Sequence, residues 1–212
     1  MITPEKASGI SLSLCEKAPV IPVLVVKDAS TAFPLAQALV SGGLPVLEVT
    51  LRTESALEVI REMAKVEGGI VGAGTVLTRA DAEAAKEAGA KFAVSPGATD
   101  ALLTACEELD LPILPGAATA SEAMALLERG YTVQKFFPAE ASGGAAALKA
   151  IGAPLPQIVF CPTGGIGPHN VQEYLSLSNT RCVGGSWVAP ADLVAQRDWT
   201  AIQDLARTAA AL

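Results

Sequence analysis

Eight short apolar runs, each followed by an alanine-rich stretch of helical character, divide this chain from one end to the other. In order they are VIPVLVV (20–26), VLEVTL (46–51), GIVGAGTV (69–76), KFAVSP (91–96), LPILPG (111–116), TVQKFF (132–137), QIVFCP (157–162) and RCVGGSW (181–187). Strands that alternate with helices pair in parallel, because each crossover lays a helix over the sheet. Eight such units without a break in composition predict a single domain over residues 1–212, an α/β fold closed as an eight-stranded parallel β/α (TIM) barrel. The competing architecture is an open doubly wound sheet, but no GxGxxG follows the first run. Thr53 and Thr78 read as helix N-caps, Gly68 and Gly89 as helix stops. The first sixteen or so residues read as an extra N-terminal helix that closes the barrel floor.

Half of the 212 residues are apolar and 17% are charged, which suits a compact core and excludes disorder. A net charge of -7 leaves no basic face for a phosphate backbone, so nucleic acid and anionic membrane are not expected partners. The opening MITPEKASGISLSLCEKAP has no cationic segment leading into an apolar core, and no apolar run approaches membrane-span length. The expected location is therefore the cytoplasm. Cys15, Cys106, Cys161 and Cys182 are widely scattered with no CxxC pair, and His169 is the only histidine. That pattern argues against a zinc site and a Ser-His-Asp triad, and leaves buried reduced thiols as the expectation.

A barrel places its chemistry at the carboxyl ends of its strands. Polar residues collect there: Glu48, Thr50 and Arg52 in the second run, Thr75 in the third, Lys135 in the sixth, Thr163 after the seventh and Ser186 in the eighth. Lys135 stands inside the apolar run Val133–Phe137, and lysine is almost never fully buried without a partner. Side chains alternate along a strand, so Glu48, Thr50 and Arg52 share one face. Glu48 and Lys135 could form no more than a buried ion pair, which is weak evidence for stability. In the functional reading Lys135 lies in a water-poor pocket near Arg52, its pKa pulled well below the free value of about 10.4. Its neutral amine then attacks a ketone to give an imine. Glu48, acting through a water or from beyond direct contact, moves protons as general acid and base. Arg52 clamps a carboxylate, which its planar fork matches.

CPTGGIGP (161–168) and VGGSW (183–187) place paired glycines right after the seventh and eighth strands. Exposed backbone N–H groups at those two strand ends are a frequent phosphate site in barrels, with Thr163 and Ser186 supplying hydroxyls beside them.

Taken together, LEVTLRT, GAGTV, SPG, QKFFPAE, CPTGGI and GGSW resemble the motifs of the class I 2-keto-3-deoxy-6-phosphogluconate (KDPG) aldolases, known also as 4-hydroxy-2-oxoglutarate aldolases. The resemblance runs in matching order from about residue 15 to residue 205. It implies an eight-fold β/α barrel, commonly a homotrimer, that cleaves a keto acid phosphate to pyruvate and glyceraldehyde 3-phosphate in the Entner-Doudoroff route. No metal and no cofactor are expected, since one histidine and scattered cysteines cannot assemble a catalytic zinc site. By motif match, Lys135 is similar to the Schiff-base lysine and Glu48 to the proton-transfer carboxylate. Arg52, Thr75 and Pro96 match the pyruvate pocket, and Phe137 matches its apolar wall. Thr163, Gly164, Gly165, Gly185 and Ser186 match the hydroxyl and phosphate end. PGAATASEA departs from the pattern, with Ala117 and Ala118 where a larger residue followed by serine is expected; this bears on substrate preference and not on the reaction class.

Other readings remain open on the residues alone. A sugar-phosphate isomerase or epimerase barrel would use Lys135 as a charge or base without an imine. A galactonate-type aldolase would differ at the C4 hydroxyl, and a phosphate-binding barrel without activity would need no Lys135–Glu48 pair.

Overall fold

The structure is a computed structural model that describes all 212 residues. All eight apolar runs form strands, each shorter than its run: β1 Val20–Leu24, β2 Val46–Thr50, β3 Ile70–Gly74, β4 Ala93–Val94, β5 Ile113–Leu114, β6 Gly116–Ala117, β7 Val133–Phe136, β8 Val159–Pro162 and β9 Val183–Gly185. The fifth run yields two strands because Pro115 interrupts it. Proline has no N–H for a ladder bond, and its carbonyl instead accepts from the Lys135 backbone N–H at 2.8 Å.

Every pairing is parallel. Six strands form a half-barrel in the order β5-β4-β3-β2-β1-β9, and three form a second sheet in the order β6-β7-β8. Where a single eight-stranded ring is expected, the ladders are interrupted at two places. One is Pro115, and the other is the β8–β9 edge, joined only by the isolated bridges Phe160–Thr180 and Thr163–Gly184.

Helices α1 Pro4–Cys15, α2 Ala32–Ser41, α3 Ala56–Met63, α4 Arg79–Glu87, α5 Asp100–Glu108, α6 Ala120–Arg129, α7 Gly144–Gly152, α8 Val171–Leu175, α9 Ala191–Gln196 and α10 Trp199–Ala210 make up the rest of the regular structure. None is long and apolar enough to cross a membrane. Threonine starts many of them. Thr78 and Thr119 each close a capping box, with Asp81 and Glu122 respectively, and Thr3 and Thr99 cap α1 and α5. Gly89 follows α4 at φ +102 as the expected stop.

Two expected punctuation marks have other uses. Thr53 does not cap α3; its hydroxyl donates to the Val26 carbonyl at 2.8 Å, beyond the end of β1. Gly68, at φ +78, lies in the turn before β3 and not at the end of α3.

The apolar residues sort into two cores. The larger joins the strands to the surrounding helices. The smaller is made by Leu14, Cys15, Ile21, Val46, Phe92, Val94, Leu114, Val133, Cys161 and Cys182. Because side chains alternate, Val46 and Val133 of this inner cluster lie on the same faces as Glu48 and Lys135, two residues further along. The N-terminal helix α1 plugs the amino end of the strands, as the sequence predicts. Its buried Ser11 donates to the Ile113 carbonyl at 3.4 Å, and Ser8 Oγ accepts from the Thr132 N–H at 3.0 Å.

Thr119→Ala removes one half of the α6 capping box and should lower the unfolding free energy by about 1 kcal/mol. A urea titration checks this, with the midpoint falling at an unchanged slope.

Candidate active site

Glu48 on β2 and Lys135 on β7 meet in the interior, above the inner apolar cluster. Lys135 Nζ lies 3.1 Å from Glu48 Oε1 and 3.5 Å from Oε2. The two residues are only 5% and 4% exposed. The Phe137 ring covers the amine at 5.4 Å from its centroid. Room for the carboxylate comes from Gly74 at the end of β3, where a methyl group would collide with Glu48.

This geometry corrects one expectation: Glu48 touches Lys135 directly instead of standing off behind a water. The contact has a chemical consequence. With the proton on Nζ the two groups are an ion pair; with the proton on Glu48 they are a neutral amine and a neutral acid. At this distance a proton can pass between Nζ and the carboxylate without an intervening water. Arg52 is not the group paired with Lys135. It lies just past β2, exposed, with neither ion pair nor hydrogen bond.

The remaining predicted residues sit at the carboxyl ends of the strands. Thr75 follows β3 at φ +60, a left-handed conformation that a β-branched residue rarely adopts and that marks functional turns. Pro96 follows β4, and its carbonyl is so close to Gly116 that any side chain there would strike it. Thr163 is buried, with a hydroxyl that has no partner. Such an orphan costs about 1–3 kcal/mol unless a ligand or water satisfies it. Thr163 bridges to Gly184, where a Cβ would strike the same hydroxyl.

Gly164 and Gly165 take φ +106 and +78, conformations open to glycine at little strain. Gly185 ends β9 against the Trp187 ring, and Ser186 is exposed. Ser186 and Trp187 line a cavity of about 830 Å³ together with Lys27, Asp28 and Arg197. The structure thus joins Lys135, Glu48 and Phe137 in direct contact and gathers Thr163, Gly164, Gly165, Gly185 and Ser186 at the adjoining carboxyl ends of β8 and β9. Arg52, Thr75 and Pro96 follow neighbouring strands without touching the lysine pair through any hydrogen bond or salt bridge.

Sequence reasoning passed over two supports of this site. Buried Asn170 accepts from the Gly167 N–H at 2.9 Å and donates to the Gly165 carbonyl at 3.2 Å, bracing the double-glycine loop. Its position at the end of a Gly-Pro-rich turn is the available signal. Glu140, three residues past Phe137, accepts from the Tyr174 hydroxyl and packs where a side chain on Gly165 would go. Burial, with the Glu140 carboxylate adding to it, pushes the Tyr174 phenol up, so it stays a donor. Nor are the cysteines scattered in space: Cys15, Cys161 and Cys182 converge in the inner cluster.

Parallel strands that carry a dry lysine–carboxylate pair beside glycine-rich loops define a class of β/α enzyme. The comparisons narrow that class. The family model described as KDPG and KHG aldolase matches residues 12–205. A 2-dehydro-3-deoxy-phosphogluconate aldolase of Pseudoalteromonas atlantica is 54% identical over 95% of this chain and 94% of its own length. A 2-keto-3-deoxy-6-phosphogluconate aldolase of Zymomonas mobilis, solved with 3-phosphoglycerate, superposes with a TM-score of 0.90 at 48% identity, covering 94% of each chain. A KDPG aldolase of Legionella pneumophila, solved with pyruvate as a covalent carbinolamine, reaches the same TM-score of 0.90 at 45% identity, covering 93% of this chain and 97% of its own. The chain belongs to the KDPG and KHG aldolase family.

Asn170→Ala removes both braces of the double-glycine loop. Amide exchange at Ile166 and Gly167 should quicken and stability should fall by about 1–3 kcal/mol, read by hydrogen-exchange mass spectrometry and thermal unfolding.

Proposed function

We propose that this chain is a class I aldolase, a lyase that cleaves KDPG to pyruvate and glyceraldehyde 3-phosphate in the Entner-Doudoroff route, with Lys135 as the nucleophile. The observation that carries the reading is the buried contact between Lys135 Nζ and Glu48 Oε1 at 3.1 Å. The Legionella relative's covalent pyruvate carbinolamine supports it, since a carbinolamine forms when an amine adds to a ketone.

The chemistry follows from that contact. Glu48 takes a proton from Nζ, and the freed amine adds to the C2 carbonyl of the substrate. Glu48 returns the proton to the carbinolamine hydroxyl, water leaves, and the imine forms. The carboxylate then accepts the C4 hydroxyl proton as the C3–C4 bond breaks, and the bonding electrons move into the imine to give an enamine. Glyceraldehyde 3-phosphate departs, C3 is protonated, and water releases pyruvate. One carboxylate serves every transfer because it already touches the nitrogen, and general acid–base help of this kind contributes about 10² to 10⁴ in rate.

In this reading Arg52 clamps the substrate carboxylate, Thr75 and Pro96 complete the pyruvate pocket, and Phe137 keeps water from the imine. Thr163 meets a substrate hydroxyl. Gly164, Gly165, Gly185 and Ser186 receive the phosphate, a role that the 3-phosphoglycerate bound to the Zymomonas relative supports. The same site would split 4-hydroxy-2-oxoglutarate into pyruvate and glyoxylate. A barrel that isomerises or epimerises without an imine is not favoured, nor is a galactonate-type aldolase. The reaction as written calls for no cofactor.

The reading also takes the half-barrel and the three-stranded sheet as one closed eight-stranded ring, counting β5 and β6 as one strand, over residues 1–212 as a single domain. It places the enzyme in the cytoplasm as a homotrimer.

Incubation with pyruvate and borohydride should leave a reduced adduct on the peptide that carries Lys135. An adduct on a different lysine would overturn the assignment. Glu48→Gln should lower cleavage by about 10² to 10⁴ under conditions where circular dichroism shows it folded, whatever stability the broken pair costs; a variant that turns over normally once folded would return Glu48 to a structural role. Gly165→Val, at φ +78 and against Glu140, should impair the phosphorylated substrate far more than 4-hydroxy-2-oxoglutarate. Equal losses on both would place the phosphate elsewhere.

A further inference from the structure

Three of the four cysteines converge from three separate elements. Cys15 comes from the last turn of α1, Cys161 from β8, and Cys182 from the residue before β9. Their Sγ atoms all lie within 4.8 Å of one another, and Cys182 and Cys161 are 3.5 Å apart. All three are free thiols and at most 2% exposed. Buried cysteines ordinarily serve as small hydrophobes, and Cys106, alone in the outer core, is one of that kind. Three sulfur atoms this close to one another can act as a set of ligands.

The spacing identifies the coordination. Thiolate–metal bonds are about 2.3 Å, so three sulfurs around one centre lie roughly 4 Å from each other. The observed separations, from 3.5 Å to no more than 4.8 Å, bracket that value. A fourth donor is missing. No fourth cysteine, histidine or carboxylate joins the group; its apolar neighbours include Leu14, Ile21, Val46, Phe92, Val94 and Leu114, and the only histidine, His169, is exposed in the loop after β8. Zinc, which closes its structural sites with four ligands, is therefore poorly served.

Charge then selects among three-coordinate ions. Apolar walls penalise any net charge. Three thiolates carry three negative charges, so a trivalent centre gives a neutral complex, whereas a monovalent or divalent one leaves negative charge in hydrocarbon.

We propose that Cys15, Cys161 and Cys182 form a three-thiolate binding site for trivalent arsenic, presented as arsenite. The step balances without an oxidant or reductant: arsenous acid exchanges three As–OH bonds for three As–S bonds, the three thiol protons leave with the hydroxyls, and three waters are released. Arsenic stays trivalent throughout. The site is distinct from the Lys135–Glu48 pair yet adjacent to it, because Cys161 is the direct register partner of Lys135 across β7 and β8.

The test uses the full chain, reduced and folded, with sodium arsenite, read by native mass spectrometry. The expected result is one adduct per chain whose mass is one arsenic less three hydrogens, together with a new near-ultraviolet sulfur-to-arsenic absorption. Cys15→Ala, Cys161→Ala and Cys182→Ala, each shown folded by circular dichroism, should weaken binding at least tenfold, and Cys106→Ala should leave it unchanged. Zinc ion at the same concentration should give no adduct. Absence of an arsenic adduct on the wild-type chain would overturn the proposal without any variant. So would an adduct that survives Cys15→Ala but is lost in Cys106→Ala, and a zinc adduct would overturn the three-coordinate assignment.

Discussion

An ammonium group and a carboxylate placed 3.1 Å apart in a dry interior constrain everything around them. Neither charge tolerates burial alone, and removing one partner of such a pair costs about 3–5 kcal/mol. The fold must therefore deliver Lys135 and Glu48 together from strands 87 positions apart in the chain. A parallel sheet does this by register. Glu48 stands level with Val23 on one neighbour and Gly72 on the other, and Lys135 stands level with Gly116 and Cys161. Beneath the pair, the inner apolar cluster and the plug formed by α1 exclude water. Above it, Phe137 closes one side, while Thr163 and the double-glycine loop leave the strand ends open to a ligand.

Small residues decide how much room that arrangement leaves. Gly74 yields space to the Glu48 carboxylate, Gly116 to the Pro96 carbonyl, and Gly184 to the Thr163 hydroxyl. Gly74 lies on the strand beside the one bearing Glu48, and Gly184 is the bridge partner of Thr163 itself, so the polar interior is carved by omission of side chains from the neighbours. The orphaned Thr163 hydroxyl is the counterpart of this design: the protein leaves one hydrogen-bonding group unsatisfied where an oxygen-rich substrate would supply the partner.

Much of this was legible from residue order. Short apolar runs marked all eight strand-forming stretches, since strands of a parallel sheet covered on both faces read as continuous hydrophobic segments. Lys135 was conspicuous because a lysine inside Val133–Phe137 conflicts with its surroundings, and conflicts of that kind gather at functional sites. Contacts between distant segments were not legible. The direct touch of Glu48 on Lys135, the division of the fifth run at Pro115, the use of Thr53 as a donor to Val26, and the meeting of Cys15 with Cys161 and Cys182 all depend on how far the sheet curls and twists, which no local pattern encodes. Asn170 escaped for a related reason. An asparagine in a Gly-Pro turn looks like any other turn residue until the loop it braces is seen beside the site.

The docking of α1 bears on the order in which the molecule assembles. Its anchors join Ser11 to Ile113 and Ser8 to Thr132, separations of 102 and 124 residues. On a ribosome the helix emerges before the strands that receive it, whose anchoring residues follow it by 102 and 124 positions. The helix must wait, its apolar face uncovered, and the entropy of closing so long a loop places its docking among the slow, non-local steps. Because α1 carries one wall of the inner cluster, the interior beneath the lysine is closed on that side only once the helix has docked. Quality control at the level of the whole chain is thereby built in: a nascent or truncated fragment that ends before β7 holds neither the lysine nor a sealed interior.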